Sequence, residues 1–251
     1  MELYNVDCLI GMKNIPDKSI DLILCDLPFG TTSCSWDTII PFDKLWSQYN
    51  RIIKDNGAII LFGQQPFTSA LIMSNPKLFR YEIIYEKANS TGFLNANKMP
   101  LKAHENICVF YKKLPTYNPQ FSEGKPYVNG SSIDIGDVYG EQKIVKAKTI
   151  NEGKRYPRSI VKFSRDTGKY HATQKPVALL EYLIKTYTNE NEIVLDNTMG
   201  SGSTGIACIN TDRYFIGMEM DKDIYQTAKD RIDKHLKSRS VSEGNIDRND
   251  K

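Results

Sequence analysis

Glu192-Ile193-Val194-Leu195-Asp196-Asn197-Thr198-Met199-Gly200-Ser201-Gly202-Ser203-Thr204-Gly205-Ile206-Ala207-Cys208 reads as a β-branched strand, an acid at its mouth, a Gly-Ser-Gly turn and the start of a helix of small residues. Gly200 and Gly202 permit positive φ and close approach of the backbone to a ligand. The amides that open the following helix can bind an anionic group. A second strand, Arg213 to Glu219, then ends in an acid a little over twenty residues after Asp196. At that spacing a second strand's carboxylate takes ribose hydroxyls in a nucleoside-binding αβ unit. The glycines do not follow G-x-G-x-x-G, which disfavours a nicotinamide dinucleotide.

Far upstream, Cys25-Asp26-Leu27-Pro28-Phe29-Gly30 follows the apolar run Ile20 to Cys25. Asp26 can accept a hydrogen bond from an exocyclic NH2, and the Leu27 carbonyl can accept the other. Pro28 fixes its own φ and removes a competing donor, and Phe29 offers a ring face for a nucleobase. Taken by itself, this segment reads equally well as a strand ending in an ordinary Asp-x-Pro turn.

Together the segments resemble the DNA amino-methyltransferases that use S-adenosylmethionine, the adenine-N6 and cytosine-N4 family. That family's catalytic signature is (Asp/Asn/Ser)-Pro-Pro-(Tyr/Phe/Trp), and its cofactor signature is Asp-Pro-Phe-x-Gly-Ser-Gly-Thr. The order of the two motifs resembles the permuted β class. Asn5-Val6-Asp7-Cys8 with Ile15 to Asp21 is similar to its opening segment, His104 to Tyr111 to its late core strand, and His171-Ala172-Thr173-Gln174-Lys175-Pro176 to its His-Pro-Thr-Gln-Lys-Pro element. Leu27 departs from the first proline, and Asn197-Thr198-Met199 from Pro-Phe-x.

The resemblance implies an α/β, Rossmann-like methyltransferase fold: a mainly parallel, doubly wound sheet with an inserted irregular recognition region. It implies S-adenosylmethionine as cofactor and double-stranded DNA as partner, leaving open a homodimer and a cognate restriction endonuclease. The expected reaction is site-specific methyl transfer to adenine N6 after base flipping. Cytosine-N4 methylation is the alternative, followed by RNA or small-molecule methylation and an inactive DNA-binding module. Asp26, Leu27, Pro28 and Phe29 are the expected catalytic motif. Gly200 and Gly202 are expected beside the methionine moiety, and Ser203, Thr204, Thr173 and Lys175 near its carboxylate. Glu219 is expected at the ribose and Asp7 with Cys8 at the adenine edge. Asp7 reads equally as a turn acid before a helix, and Asp196 as an acid organising the glycine turn. His104 and Glu105 read as structural residues at a strand entrance.

The chain has 251 residues, 40% hydrophobic and 25% charged, enough for one large α/β domain with an inserted subdomain. The expected division is 1–112 for the catalytic half, 113–165 for target recognition, 166–236 for the cofactor half and 237–251 for a polar, disordered tail. No apolar run approaches membrane-spanning length, and Met1-Glu2-Leu3-Tyr4 lacks a signal peptide's basic start. Five scattered cysteines without a C-x-x-C pair, and three histidines, give little support to a metal site. A reduced, cytoplasmic protein is the expectation. Net charge is only +3, yet the stretch from Glu141 to Lys175 carries ten bases against three acids. Lys154, Arg155, Arg158, Lys162 and Arg165, with interleaved aromatics, are the nucleic-acid-binding candidates.

Strands are expected at Ile20–Cys25, Ala58–Phe62, Tyr81–Tyr85, Ile107–Tyr111, Ile193–Asp196 and Tyr214–Glu219. Helices are expected at Pro41–Ile53, Gln65–Ser74, Pro176–Thr186 and Lys222–Leu236, and a mobile loop at Thr31–Trp36.

Overall fold

The computed structural model describes residues 1–31, 37–129, 149–166 and 174–246. The chain divides into two compact units, one of residues 1–118 with 159–251 and one of 119–158. In the larger unit the apolar runs behave as strands covered on both faces should. All six residues of β2 (Ile20–Cys25) are buried. Leu22 and Leu24 face one core, and Ile23 and Cys25 the other.

Among the described residues, eight strands form the main sheet. They are β1 (Glu2–Asn5), β2, β3 (Ile53–Gly63), β4 (Phe79–Thr91), β5 (Lys102–Phe110), β10 (Ile160–Phe163), β11 (Ile193–Asp196) and β12 (Tyr214–Glu219). Their order is β1-β12-β11-β2-β3-β5-β4-β10. β5 runs antiparallel to both its neighbours, and every other pairing is parallel. Helices α4 (Val177–Tyr187), α5 (Ser203–Asn210) and α6 (Lys222–Ile246) supply Leu179, Leu183, Ile206 and Ile232 to one core. Helices α1 (Cys8–Gly11), α2 (Phe42–Ile52) and α3 (Phe67–Ser74) cover the other face. In α2 the buried side chains are Leu45, Trp46, Tyr49 and Ile52, a single helical stripe.

From β2 the chain winds to β3, and from β11 it winds the opposite way to β12. The switch lies between the neighbours β2 and β11, registered Leu22 to Val194 and Ile23 to Leu195. Ligands of open α/β sheets bind outside the carboxyl ends of strands at such a point. Asp26 and Asp196 stand at those two ends. Asp21, at the other end of β2, pins the pair. Its carboxylate accepts from the Ile193 amide at 2.9 Å and from Lys54 Nζ at 2.6 Å.

Three features differ from the sequence expectation. Ile160–Phe163, within the stretch read as irregular, is an edge strand paired parallel with Ile84 to Lys87 of β4. Glu2–Asn5 adds a strand along β12. Helix α6 continues past Leu236 to Ile246 instead of giving way to an irregular tail at Lys237, and the Arg239 guanidinium pairs with Asp212 at 2.7 Å. The described residues of the smaller unit include two short antiparallel pairs, Ser122–Glu123 (β6) with Lys154–Arg155 (β9) and Tyr127–Asn129 (β7) with Thr149–Asn151 (β8). No helix among the described residues is long and apolar enough to cross a membrane.

Asp21→Ala strands the half-buried Ile193 amide at the central strand pair. Stability should fall by about 1–3 kcal/mol in urea titration. An unchanged midpoint would show that this carboxylate does not hold β2 against β11.

Candidate active site

A cavity of about 940 Å³ opens at the switch point. Its wall includes the expected residues Asp7, Cys8, Asp26, Leu27, Pro28, Phe29, Lys175, Asp196, Gly200, Ser203, Thr204, Glu219 and Arg165. Gly202 lies behind that wall. The two distant motifs thus face one space, because β2 and β11 are neighbours.

On the β11 side, the glycine turn is built as its sequence suggests. Gly200 and Gly202 have φ of +50° and +79°, a region that disfavours other residues. A Cβ on Gly202 would meet Ile232 at 2.9 Å, whereas one on Gly200 would meet nothing within 4 Å. Gly200 therefore leaves room at the cavity wall. Asp196, only 4% exposed, accepts from the Thr198 amide at 3.1 Å and from Thr204 Oγ1 at 2.6 Å. It organises the turn, and burial pushes its carboxyl up to about 7. Glu219 accepts from the Gly200 amide at 3.1 Å and the Asp221 amide at 2.9 Å. Burial raises its carboxyl, with those amides opposing. Arg231 of α6 donates to the Ser201 carbonyl at 3.0 Å and to Ser203 Oγ at 2.9 Å, clamping the turn from behind. Asp7 caps α1, accepting from the Leu9 amide at 2.8 Å, so it is a helix-start acid that also faces the cavity.

Asn197 takes the place of the resembled family's proline through a buried network. Its Oδ1 accepts from Tyr49 OH at 2.6 Å and from Cys25 Sγ at 2.9 Å, and its backbone amide donates to Cys25 Sγ at 3.4 Å. The departure at this position is thus matched by polar partners on α2 and β2.

On the β2 side, the Asp26 carbonyl accepts from Thr198 Oγ1 at 3.2 Å, joining the motif to the glycine turn. The Leu27 side chain is buried in the core. Phe29 packs on Phe67 with centroids 5.0 Å apart. Asp37 accepts from the Gly30 and Thr31 amides, each at 2.8 Å, and closes the chain onto the motif.

Lys175 departs from expectation. Read from the sequence as a partner of the cofactor carboxylate, its ammonium is bonded to Asp26 Oδ2 and lies 3.3 Å from Glu105 Oε2. Glu105 pairs in turn with Lys87 at 2.6 Å. Burial raises the Asp26 carboxyl, against the pull of Lys175. Burial also pushes Glu105 up, but Lys175 and Lys87 outweigh it and hold the carboxyl below its usual range. Burial lowers Lys175, but the two carboxylates outweigh it and raise the ammonium above its ordinary value. Sequence reading missed Glu105 and Lys87 as members of the site. The charge in His104-Glu105 at the entrance of a buried strand was the available signal.

The basic candidates separate. Arg155 is committed within the smaller unit, bonded to the Asn151 side chain and the Lys125 carbonyl, with its guanidinium 4.9 Å from the Tyr127 ring centroid. Lys162 pairs with Glu86 at 2.7 Å. Acceptors near at hand engage both side chains, and Lys162 stays exposed. Lys154, Arg158 and Arg165 are exposed. Thr173, the upstream part of its element from His171, the bases Lys143, Lys146, Lys148 and Lys169, and residues 32–36 of the expected loop lie outside the described residues.

The chain belongs to the DNA methylase family, whose model matches residues 20–230. It is 37% identical to the type II methyltransferase M2.LlaDCHI of Lactococcus lactis subsp. cremoris, over 92% of this chain and 89% of that protein. It is 26% identical to the DNA adenine methyltransferase YhdJ of Escherichia coli, over 90% of this chain and 81% of that one. Its fold matches the crystal structure of the M1.HpyAVI–SAM complex with a TM-score of 0.61 and 26% identity, covering 92% of this chain and 98% of the other.

The buried Asp196 gives a pH signature. Its folded-state carboxyl sits near 7 against an ordinary 3.8, so the neutral acid is the favoured buried form. The stability it contributes is full below the ordinary value and is lost as pH rises toward 7. Asp196→Asn should flatten the decline in unfolding free energy across that window. Equal slopes in urea titrations of the two proteins would contradict the assignment.

Proposed function

We propose that the protein methylates the exocyclic N6 of adenine in double-stranded DNA at a specific site, with S-adenosylmethionine as cofactor. The observation that carries this reading is the shared cavity: the Asp26–Phe29 motif and the Gly200–Gly202 turn open into one space on adjacent strands. Its volume of about 940 Å³ lies in the range of small-molecule and cofactor sites.

The residues present fit the cofactor. Gly200 leaves open space where a side chain would stand, the Glu219 carboxylate suits ribose hydroxyls, and Asp7 and Cys8 line the side assigned to adenine. When bound, S-adenosylmethionine supplies an electrophilic methyl group on a sulfonium. An exocyclic base amine is a poor nucleophile because its lone pair is delocalised into the ring. The Asp26 carboxylate and the Leu27 carbonyl accept its two protons in hydrogen bonds, favour a pyramidal nitrogen and stabilise the positive charge that grows there. Phe29, backed by Phe67, stacks the base, which is flipped out because its amine is inaccessible inside a duplex. No covalent enzyme intermediate is required.

Adenine is favoured over cytosine by the resemblance to small adenine enzymes and by the relative named as a DNA adenine methyltransferase. Cytosine-N4 methylation uses the same acceptors. The relative named as a type II methyltransferase is the ground for proposing a cognate restriction endonuclease as a partner.

Digestion of DNA treated with enzyme and labelled cofactor, with the labelled nucleoside and its flanking bases identified, tests the reading. N6-methyladenine in a fixed context is expected, and label at cytosine N4 would move the assignment to the alternative. Asp26→Ala should remove most turnover while cofactor affinity changes by less than about tenfold. Turnover near wild type in that variant would sink the mechanism.

Lys154, Arg158 and Arg165 are exposed bases available to phosphates. Replacing them with alanine should flatten the salt dependence of DNA binding by about one unit of slope for each phosphate no longer neutralised. Identical slopes across a salt series would make them a solvated face.

A further inference from the structure

If Asp26 accepts a hydrogen bond from an amine, as proposed above, it must do so as a carboxylate, and its buried setting favours the neutral acid. Four charged groups from four parts of the larger unit meet at this point. Asp26 follows β2, Lys175 precedes α4, Glu105 lies on β5 and Lys87 on β4. The ion pairs run in a chain from Asp26 through Lys175 and Glu105 to Lys87. With all four ionised their charges cancel, which is how a buried cluster avoids an uncompensated ion. Asp196 at the end of β11 is a further carboxylate whose titration is coupled to Asp26.

The Lys175 ammonium has three donors. One is bonded to Asp26, and the group reaches Glu105 at 3.3 Å. It also lies over the Phe62 ring at 5.0 Å and 6.0 Å from the Phe29 ring, so aromatic faces cover much of what remains. Lys175 is only 9% exposed. An ammonium committed in this way is not available to a cofactor carboxylate. Oδ1, the other Asp26 oxygen, is buried and accepts no hydrogen bond among the described residues. The ammonium thus anchors the carboxylate through Oδ2, while Oδ1 is shielded and unpartnered.

We infer that Lys175 is a positioning residue for Asp26: its ammonium holds the carboxylate in the charged, accepting form and anchors it through Oδ2. Without it, two carboxylates share the cluster with Lys87 alone, and Asp26 takes up a proton at higher pH. A protonated Asp26 donates where it has to accept.

The test uses the full chain, with wild type, Lys175→Met and Lys175→Arg compared in two measurements. One is the carboxyl-carbon NMR titration of Asp26, and the other is kcat against pH. In Lys175→Met the Asp26 titration and the acid limb of kcat should both move up by about one pH unit or more. The loss of turnover should therefore be largest at low pH and shrink as pH rises. S-adenosylmethionine affinity, read by calorimetry, should stay within about threefold, and Lys175→Arg should restore most of the wild-type profile. An Asp26 titration that does not move overturns the inference. If affinity then falls by about tenfold or more, the lysine is a cofactor ligand instead. Should Lys175→Met fail to fold, Lys175→Gln keeps a hydrogen-bond donor without the charge and carries the same readouts. Asp26→Ala, measured alongside, separates the two levels of argument. Near-normal turnover there removes the role given to Asp26, whereas lost turnover with an unmoved Asp26 titration in Lys175→Met removes only the role given to Lys175.

Discussion

The parallel pairing of β2 with β11 is the constraint on which the rest of the site depends. These strands are separated by most of the chain, and their short register brings Leu22 beside Val194. Because both run the same way, their carboxyl ends emerge together, and each ends in an acid. The connections that leave β2 and β11 run in opposite directions across the sheet, so a crevice opens where the winding reverses. Both faces of the sheet are buried, which is why β2 is apolar apart from Asp21 and why Asp21 needs two partners.

From that junction the two halves of the site acquire different electrostatic characters. The β11 side is held by backbone amides and hydroxyls, with Asp196 close to neutral in its buried setting and Arg231 gripping the turn from α6. The β2 side is held by full charges arranged in alternation. Buried ion pairs contribute little net stability against well-packed apolar residues. The row of Asp26, Lys175, Glu105 and Lys87 therefore makes better sense as a device for controlling one carboxylate than as a stabilising element.

The central strands and the glycine turn were legible because their signals are local: apolar runs of strand length, glycines where φ turns positive, and acids at strand ends. The limits of legibility are equally physical. Ile160–Phe163 has only four residues and pairs at a sheet edge, so the polar composition around it hid it. Helix α6 outlasts its apolar stripe, and an Arg239–Asp212 pair that no periodicity announces helps to anchor it. Lys175 could be recognised as part of a motif, but the partner of its ammonium could not. That depended on Glu105 and Lys87 arriving from two other strands, a meeting in space that has no sequence spacing. Asp7 remained balanced between two readings for a related reason, since a carboxylate can cap a helix with one oxygen while its residue faces a cavity.

Asn197 carries a consequence for exchanging parts between relatives. Its side chain is the acceptor for both Tyr49 and Cys25, so three residues on three elements form one interlocked set. A glycine turn transplanted from a protein with proline at this position would leave a tyrosine hydroxyl stranded in the core. Chimeras that move the turn alone should fold poorly, while those that also carry the matching residues at 25 and 49 should tolerate the transfer. Interchangeability of cofactor turns in this architecture is then decided behind the turn, by what the second face of the sheet can solvate.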